Sequence, residues 1–438
     1  MILINRLFKL DENNTTTGRE LIAGFTTWLA MVYIVVVNPQ ILSATGMEFG
    51  AVFVATCTAA AIGTLIMGLI ANYPIALAPG MGLNAFFTYS IVLGMGIPWQ
   101  YALGCVFWSG IIFLLISVSK LRERVINAIP RGIKTGTAVG IGLFLAVIGL
   151  GNASVIKQGS GTLLSLGELG SLSVILFTLG FIIIVAFHVR GGHWRNWAVI
   201  SGIAMVSAAG WIFDPNVEFK GIYASVPSLA PTFLAFEPFS VLETGFVVII
   251  LSLLFTDFFD TSGTLVAVAK QGGFERPDGS IARLNRALIA DSSATIAGSL
   301  LGTSSTTSYI ESNAGIAAGG RTGLTSVVVA ILFLMTLFLS PLAASIPVYA
   351  TAPALVFVAI LLFSTLREFS EWDDFSETAA MVVAAIVMPL TFSITDGIAS
   401  SCLVYVLVKL FSGRYREISG VMAVLAVLFL LRYISMAI

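Results

Sequence analysis

Charge is what this chain has least of. Of its 438 residues 10% are Asp, Glu, Lys or Arg and 57% are hydrophobic. A water-soluble domain carries roughly 25% charged residues, so this chain cannot cover a water-facing surface and reads as a polytopic membrane protein embedded in the lipid bilayer. The formal net charge of −1 comes with no basic stripe, which argues against nucleic acid as a partner. There are two histidines, His188 and His193. Both fall in or beside the basic stretch "HVRGGHWR" and read as exposed rather than catalytic. No Ser-His-Asp set, metal-ligand cluster or H-E-x-x-H appears, so neither an enzyme nor a cofactor is expected. The three cysteines, Cys57, Cys105 and Cys402, each sit in an apolar run and read as small buried hydrophobes. The polar start "MILINRLFKLDENNTTTGRE" has no cleavable signal pattern.

Long hydrophobic runs, by contrast, fill the chain. A helix crossing the ~30 Å hydrocarbon core needs about 20 apolar residues. Spans are expected near 21–43, 49–71, 99–119, 132–150, 171–189, 196–213, 243–268, 283–301, 323–345, 349–366, 377–393, 396–411 and 419–437. Two further segments are apolar but interrupted, 74–94 and 302–320, giving 15 in all. The last, 419–437, either spans or lies along the interface. The basic loops at 120–134, 188–195, 270–286, 319–323 and 409–416 all fall on one side if the N-terminus is cytoplasmic, and the acidic loop 214–243 falls on the other, as the positive-inside rule asks. The acidic loop 367–377 falls inside against this trend, but acids count little in that rule.

The interrupted segments carry the first functional signal. "PIALAPGMGLNAFFTYSIVLG" has Pro79, Gly80 and Gly82 at its centre, and "GTSSTTSYIESNAGIAAGG" has a run of hydroxyl residues followed by Glu311. Each reads as an extended piece followed by a half-helix, beginning near Asn84 and near Ser308. Non-helical backbone at membrane depth survives only when buried in protein or lining a cavity, and paired interrupted segments in two halves of a transporter point to a binding site. The half-helix N-termini would offer free N–H donors there. "GMGLNA" also fits a loose dinucleotide pattern, but no βαβ context surrounds it. Glycines in membrane helices also serve close packing.

The second signal is acid inside the membrane. Asp257 and Asp260 lie in "VVIILSLLFTDFFDTSGTLVAVA", with no Lys or Arg until Lys270. A carboxylate at a helix centre costs ~2.5–3.5 kcal/mol on insertion scales. At i and i+3 the two share a helix face, which Thr261 and Thr264 continue. Asp291 and Asp396 read as structural, near a helix end and in an interfacial turn. For Asp257, Asp260 and Glu311 the plain alternative is a hydrogen-bonded network holding helices together, but intramembrane acids usually mark ion or substrate pathways. One acid accepting from substrate N–H groups and one exchanging a proton is the minimum set for proton-coupled symport. The hydroxyl run at 303–308 leaves a cation site open.

Three stretches, "LAPGMGLNAFF" (77–87), "TDFFDTSGTL" (256–265) and "GTSSTTSYIESNAGIAAGGRTGL" (302–324), together with "GFTTWLAMVYIVVVNPQIL" (24–42), resemble the nucleobase–cation symporter-2 superfamily, in its AzgA-like branch of purine permeases. The resemblance implies an all-α polytopic fold of 14 helices in a seven-plus-seven inverted repeat, with short strands in the third and tenth elements. It implies an N-terminal cytoplasmic segment (1–20), a core domain (21–120 and 243–345), a gate domain (121–213 and 347–411) and a C-terminal hydrophobic segment (412–438). A purine nucleobase would bind between core and gate. By motif position it implies Asn84, Asp257, Asp260 and Glu311 for binding and transport, with Gly82 for close backbone approach. Helix-face spacing adds the expectation that Asp257, whose side of the face Thr261 continues one turn on, touches the substrate with Glu311 and Ser312, while Asp260, Thr261 and Asp291 serve proton coupling or support. The intact "APGMGLNAFF" is similar to hypoxanthine/guanine permeases rather than adenine permeases. The expectation is a proton-coupled purine importer of the inner (plasma) membrane, as a monomer or homodimer. An anion channel or exchanger of the same architecture is the alternative, but it would want a basic residue where Glu311 stands.

Overall fold

The computed structural model describes residues 2–119, 129–159, 161–238, 244–276 and 281–437. Parts of two expected basic loops, 120–128 and 277–280, lie outside these. Among the described residues, ten helices are long and apolar enough to cross a membrane. Shorter apolar helices are Met81–Gly94, Phe375–Thr391 and Gly420–Leu431. The three cysteines are buried.

In chain order the helices are α1 (Ile2–Phe8), α2 (Thr17–Met31), α3 (Ile34–Ser43), α4 (Phe49–Ile66), α5 (Met81–Ala85), α6 (Trp99–Val118), α7 (Arg131–Asn152), α8 (Leu172–Arg190), α9 (Gly192–Phe213), α10 (Thr244–Gln271), α11 (Leu284–Leu301), α12 (Ser312–Ala317), α13 (Gly323–Thr336), α14 (Ser340–Ala344), α15 (Val348–Leu362), α16 (Phe375–Thr391), α17 (Ile394–Phe411) and α18 (Gly420–Ala437). The expected first span is two helices, broken at Val32 and Tyr33. Among the described residues four short strands accompany them: β1 (Leu77–Pro79), β2 (Ile156–Gln158), β3 (Leu164–Leu166) and β4 (Thr306–Ser308). β2 and β3 form a hairpin in the loop after α7. β1 and β4 come from the two interrupted segments and pair with each other.

The helices pack in two groups. One holds α2 to α6 with α10 to α14: α11 lies against α4 and α6, and α13 against α2 and α4. The other holds α7, α8, α9, α15, α16 and α17, with α7 packed on α15 and α16. The groups meet where α5 and α10 touch α7, where α3 touches α15, and where α2 touches α9. In lipid no hydrophobic drive separates helix from tail, so close backbone approach does much of the joining. Gly323, at the start of α13, is a case: a Cβ there would stand 1.9 Å from the carbonyl oxygen of Gly68.

Candidate substrate site at the strand pair

The strand pair answers a backbone problem first. β1 and β4 run antiparallel with Leu77 opposite Ser308, Ala78 opposite Thr307 and Pro79 opposite Thr306. The Gly80 N–H donates to the Ser305 carbonyl and the Tyr309 N–H to the Ala76 carbonyl, both at 3.0 Å. Pro79 has no N–H to give, and its carbonyl accepts from the Tyr309 hydroxyl at 2.6 Å. The Thr64 hydroxyl meets both the N–H and the carbonyl of Leu77. Extended backbone is thereby satisfied at membrane depth, as it must be.

The half-helices start at other residues than the sequence suggested. Gly80 is extended (φ −72°, ψ 125°) and helix begins at Met81. Asn84 is therefore one turn in: its N–H donates to the Gly80 carbonyl at 2.8 Å, and its side-chain oxygen accepts from the Ser304 hydroxyl. It is fully buried. On the other side, pairing with β1 keeps the chain extended through Ser308, and α12 begins at Ser312. The Ser308 N–H, expected to be free, is taken by Asp291.

The acids separate into a buried set and an open set. Asp291 Oδ1 accepts from the N–H and hydroxyl of Ser308 at 2.9 and 2.8 Å, and Oδ2 accepts from Thr261 at 2.7 Å. Thr261 in turn meets the Thr307 hydroxyl at 2.8 Å. Asp291 and Thr261 thus pin β4 to α10 and α11. Asp257 is 1% exposed; its Oδ2 accepts from Thr295 at 2.9 Å, while its Oδ1 has no partner. Asp260 is partly exposed, and its Oδ2 lies beside Gly80, 3.7 Å from where a Cβ would stand. Glu311 is also partly exposed, is an electrostatic neighbour of Asp260, and accepts from the Tyr33 hydroxyl at 2.8 Å.

Two other residues face elsewhere than the sequence implied. Ser312 is fully buried, and its hydroxyl accepts the Ala76 N–H at 3.0 Å, tying α12 to the approach of β1. Gly82 makes its close approach to a neighbouring helix: a Cβ would stand 2.5 Å from Ile141 Cγ2 of α7. Of the eight residues singled out, Asp260 and Glu311 are the partly exposed acids; Asn84, Asp257, Thr261, Asp291 and Ser312 are buried.

Sequence reasoning missed three polar residues. Tyr33 and Asn38 both interrupt the apolar run of the first span, a signal it overlooked. Asn38 donates to Thr56 and Thr303 at 2.7 and 2.9 Å, bracing the entry to β4. Glu20, in the first turn of α2, is fully buried and accepts from Thr15, from the N–H of Arg321, and from the hydroxyls of Thr322 and Thr325. It locks α2 to the start of α13.

Glu311 lines a cavity of about 650 Å³ between the two helix groups, within the ~300–1,000 Å³ range of small-molecule sites. Thr26 and Asn313 share its wall with Glu311; His188, Arg195 and Asn196 face them from α8 and α9. His188 is thus no exposed loop residue: it is half-buried in the last turn of α8, its ring edge-on to Phe357 at 4.9 Å. The side chain of His193 lies outside the described residues.

Residues 18–400 match the model of the Permease family, the nucleobase–cation symporter-2 group. The chain belongs to that family. This permease is 47% identical to a putative permease of Methanocaldococcus jannaschii, over 100% of its own length and 99% of the relative's. It is 44% identical to the adenine permease AdeP of Escherichia coli, with 99% and 96% covered. It is 43% identical to the guanine/hypoxanthine permease PbuG of Bacillus subtilis, with 98% and 98% covered. Its fold is similar to the transmembrane domain of a cyanobacterial bicarbonate transporter, BicA (TM-score 0.64, 17% identity, 88% of this chain and 97% of that one). It is also similar to the anion transporter Slc26a9 of mouse in its inward-facing state (TM-score 0.65, 13% identity, 90% and 68%). The permease is therefore a multi-pass membrane transporter and not an enzyme.

Proposed function

We propose that this permease imports purine nucleobases by proton-coupled alternating access, with hypoxanthine and guanine preferred over adenine. The observation that carries the reading is Glu311. It is a carboxylate at the end of the strand pair, steered by Tyr33, on the wall of a cavity between two helix groups. An ionised carboxylate only accepts hydrogen bonds. Hypoxanthine and guanine carry an N1–H beside a carbonyl, and guanine adds an exocyclic amine, so both offer donors along the six-membered-ring edge. Adenine alternates donor and acceptor there and matches a carboxylate less well. Adenine and guanine/hypoxanthine permeases are near-equal relatives in identity, so this edge chemistry is the ground for preferring the oxo-purines.

The first helix group is the core domain and the second the gate domain of this reading, the two halves being related as a seven-plus-seven inverted repeat. Asp260 stands on the substrate side beside Glu311. Asp257, with one oxygen unpartnered behind the site, takes the proton. The basic ends face the cytoplasm with the N-terminus, in the inner (plasma) membrane of the cell. An anion exchanger on the same scaffold is disfavoured because Glu311 would repel its substrate. The test is uptake of labelled hypoxanthine, guanine, adenine and uracil with and without a protonophore. Saturable hypoxanthine and guanine uptake that the protonophore abolishes supports the reading; uptake that requires Na⁺ and ignores the protonophore overturns the coupling, and uptake of none of the purines overturns the whole.

A further inference from the structure

At the end of the bundle opposite the basic loops lies a second, smaller space of about 200 Å³, between the two helix groups and sharing no lining residue with the Glu311 cavity. Four polar side chains border it. Gln40 (α3) and Tyr89 come from the first group; Asn152 (the last residue of α7) and Thr351 (α15) come from the second. The Gln40 carboxamide bridges the groups with both of its ends. Its Nε2 donates to the Ile346 carbonyl at 2.8 Å, and its Oε1 accepts from the Thr351 hydroxyl at 2.6 Å. The Tyr89 hydroxyl faces the Asn152 carboxamide across the same boundary. The remaining lining is aliphatic: Val37, Ile41 and Leu355 among others.

These side chains join the two helix groups, and the same atoms carry chemistry that a base could use. A carboxamide presents one donor and one acceptor side by side, the pattern that pairs bidentately with a purine edge. Tyr89 on the same wall is an aromatic side chain of the kind on which flat heterocycles stack. In this conformation the Gln40 carboxamide is spent on Thr351 and Ile346. A base entering here would exchange hydrogen bonds one for one with the bridge, so that binding and release of the bridge become a single event.

We infer that Gln40, Tyr89 and Asn152 form an outer binding site for the purine base, whose occupation breaks the Gln40–Thr351 bridge and frees the outer end of the two helix groups to separate. The inference rests on the purine reading above. It makes Gln40 a ligand from the outer side alone, since from the inner cavity the base meets Glu311 first.

The experiment measures half-saturation for hypoxanthine or guanine separately from each side, in right-side-out and inside-out vesicles holding the full chain. Gln40→Leu removes the carboxamide, and Thr351→Val removes the bridge while leaving the carboxamide free. The expected result is opposite signs from the outer side: half-saturation raised about tenfold or more by Gln40→Leu and unchanged or lowered by Thr351→Val, because one lost bidentate contact is worth about 1–3 kcal/mol. From the inner side both variants stay within about twofold of wild type, less than RT ln 10. If Gln40 only clamps the helices, the two variants move in the same direction, and that result overturns the site. Equal changes from both sides also overturn it. Should Gln40→Leu fail to reach the membrane, Asn152→Ala takes its place with the same outer-side rise expected and the same equal-sided result overturning. A wild-type chain with no saturable purine uptake from either side removes the underlying reading and this site with it, an outcome recognisable before any variant is made.

Discussion

Tyr33 on the first span and Glu311 in the second interrupted segment are joined by one hydrogen bond, the phenol donating to Oε1 at 2.8 Å across 278 residues of sequence. The bond holds the carboxylate of a residue that lines the cavity. A hydrogen bond to a charged group contributes about 1.5–3 kcal/mol, and the partial exposure of Glu311 places this one toward the lower end. Tyr33→Phe should weaken purine binding about tenfold while the protein still folds, as titration calorimetry on detergent-purified protein would show. Glu311→Gln should lose binding far more severely, because an amide turns one acceptor into a donor.

Asp257 and Asp260 should divide their labour, and we propose the order opposite to the one that helix-face spacing suggests. Asp260 is partly exposed beside Gly80, whereas Asp257 lies sealed against Thr295. Asp260→Asn should weaken equilibrium binding of the base. Asp257→Asn should keep binding and lose accumulation against a gradient. Binding and uptake assays on both variants check this; the same defect in both assays from both variants would show there is no division.

Asp291 is expected to be a fold residue. Its carboxylate satisfies three donors, from Ser308 and Thr261. Asp291→Ala strands them in the packed layer, each at about 1–3 kcal/mol, whereas Asp291→Asn keeps one acceptor. Thermal unfolding in detergent should show a larger loss of Tm for Ala than for Asn. A comparable Tm for the two would mean that the pinning of β4 does not depend on this carboxylate.

Gly323→Ala tests the joining of α13 to the turn Met67–Ala71 that follows α4. The added methyl would stand 1.9 Å from the Gly68 carbonyl oxygen, and backbone cannot swing aside as a side chain does. The helices must separate, so strong destabilisation and low yield are expected, at the upper end of the ~1–3 kcal/mol typical of overpacking or beyond. Folded yield by size-exclusion chromatography reads the outcome.

Acid sensitivity should arise at the end of α17. Arg414 bonds Asp374 and Glu417 together, and the nearly buried Lys409 adds to both. Hydrogen bonds from Arg414 and then Lys409 hold the Glu417 carboxyl down at about 2, from an ordinary 4.5. Burial pushes the Asp374 carboxyl up, but bonds from Arg414, Ser376 and Lys409 outweigh it and hold the group well below the usual range. Carboxyls depressed in the fold contribute stability that is complete above their ordinary values and lost as pH falls through the folded ones. Unfolding scans between pH 5 and about 2 should therefore show Tm falling for the wild type. Arg414→Ala should lower Tm near neutral pH and flatten the fall.

Much of the architecture was legible because hydropathy is a property of one segment at a time. Whether a stretch of about 20 residues prefers lipid depends on its own side chains, so the spans, the buried cysteines and the two interrupted segments could be read residue by residue, and Glu311 stood out as an acid where acids are costly. What tertiary structure decided is direction. Asp257 and Asp260 are about 60° apart around their helix at 3.6 residues per turn. Only the packing of α11 and β4 decides which of them faces inward. The half-helix starts moved for a related reason: β1 and β4 must satisfy each other's backbone before any helix can begin, and that pairing joins segments some 230 residues apart. Ser312 and Gly82 were turned to Ala76 and Ile141 by the same packing. Composition and pattern alone thus settled a membrane chain with a polar break at mid-depth; contacts between distant segments chose which acids are buried and which stay partly exposed.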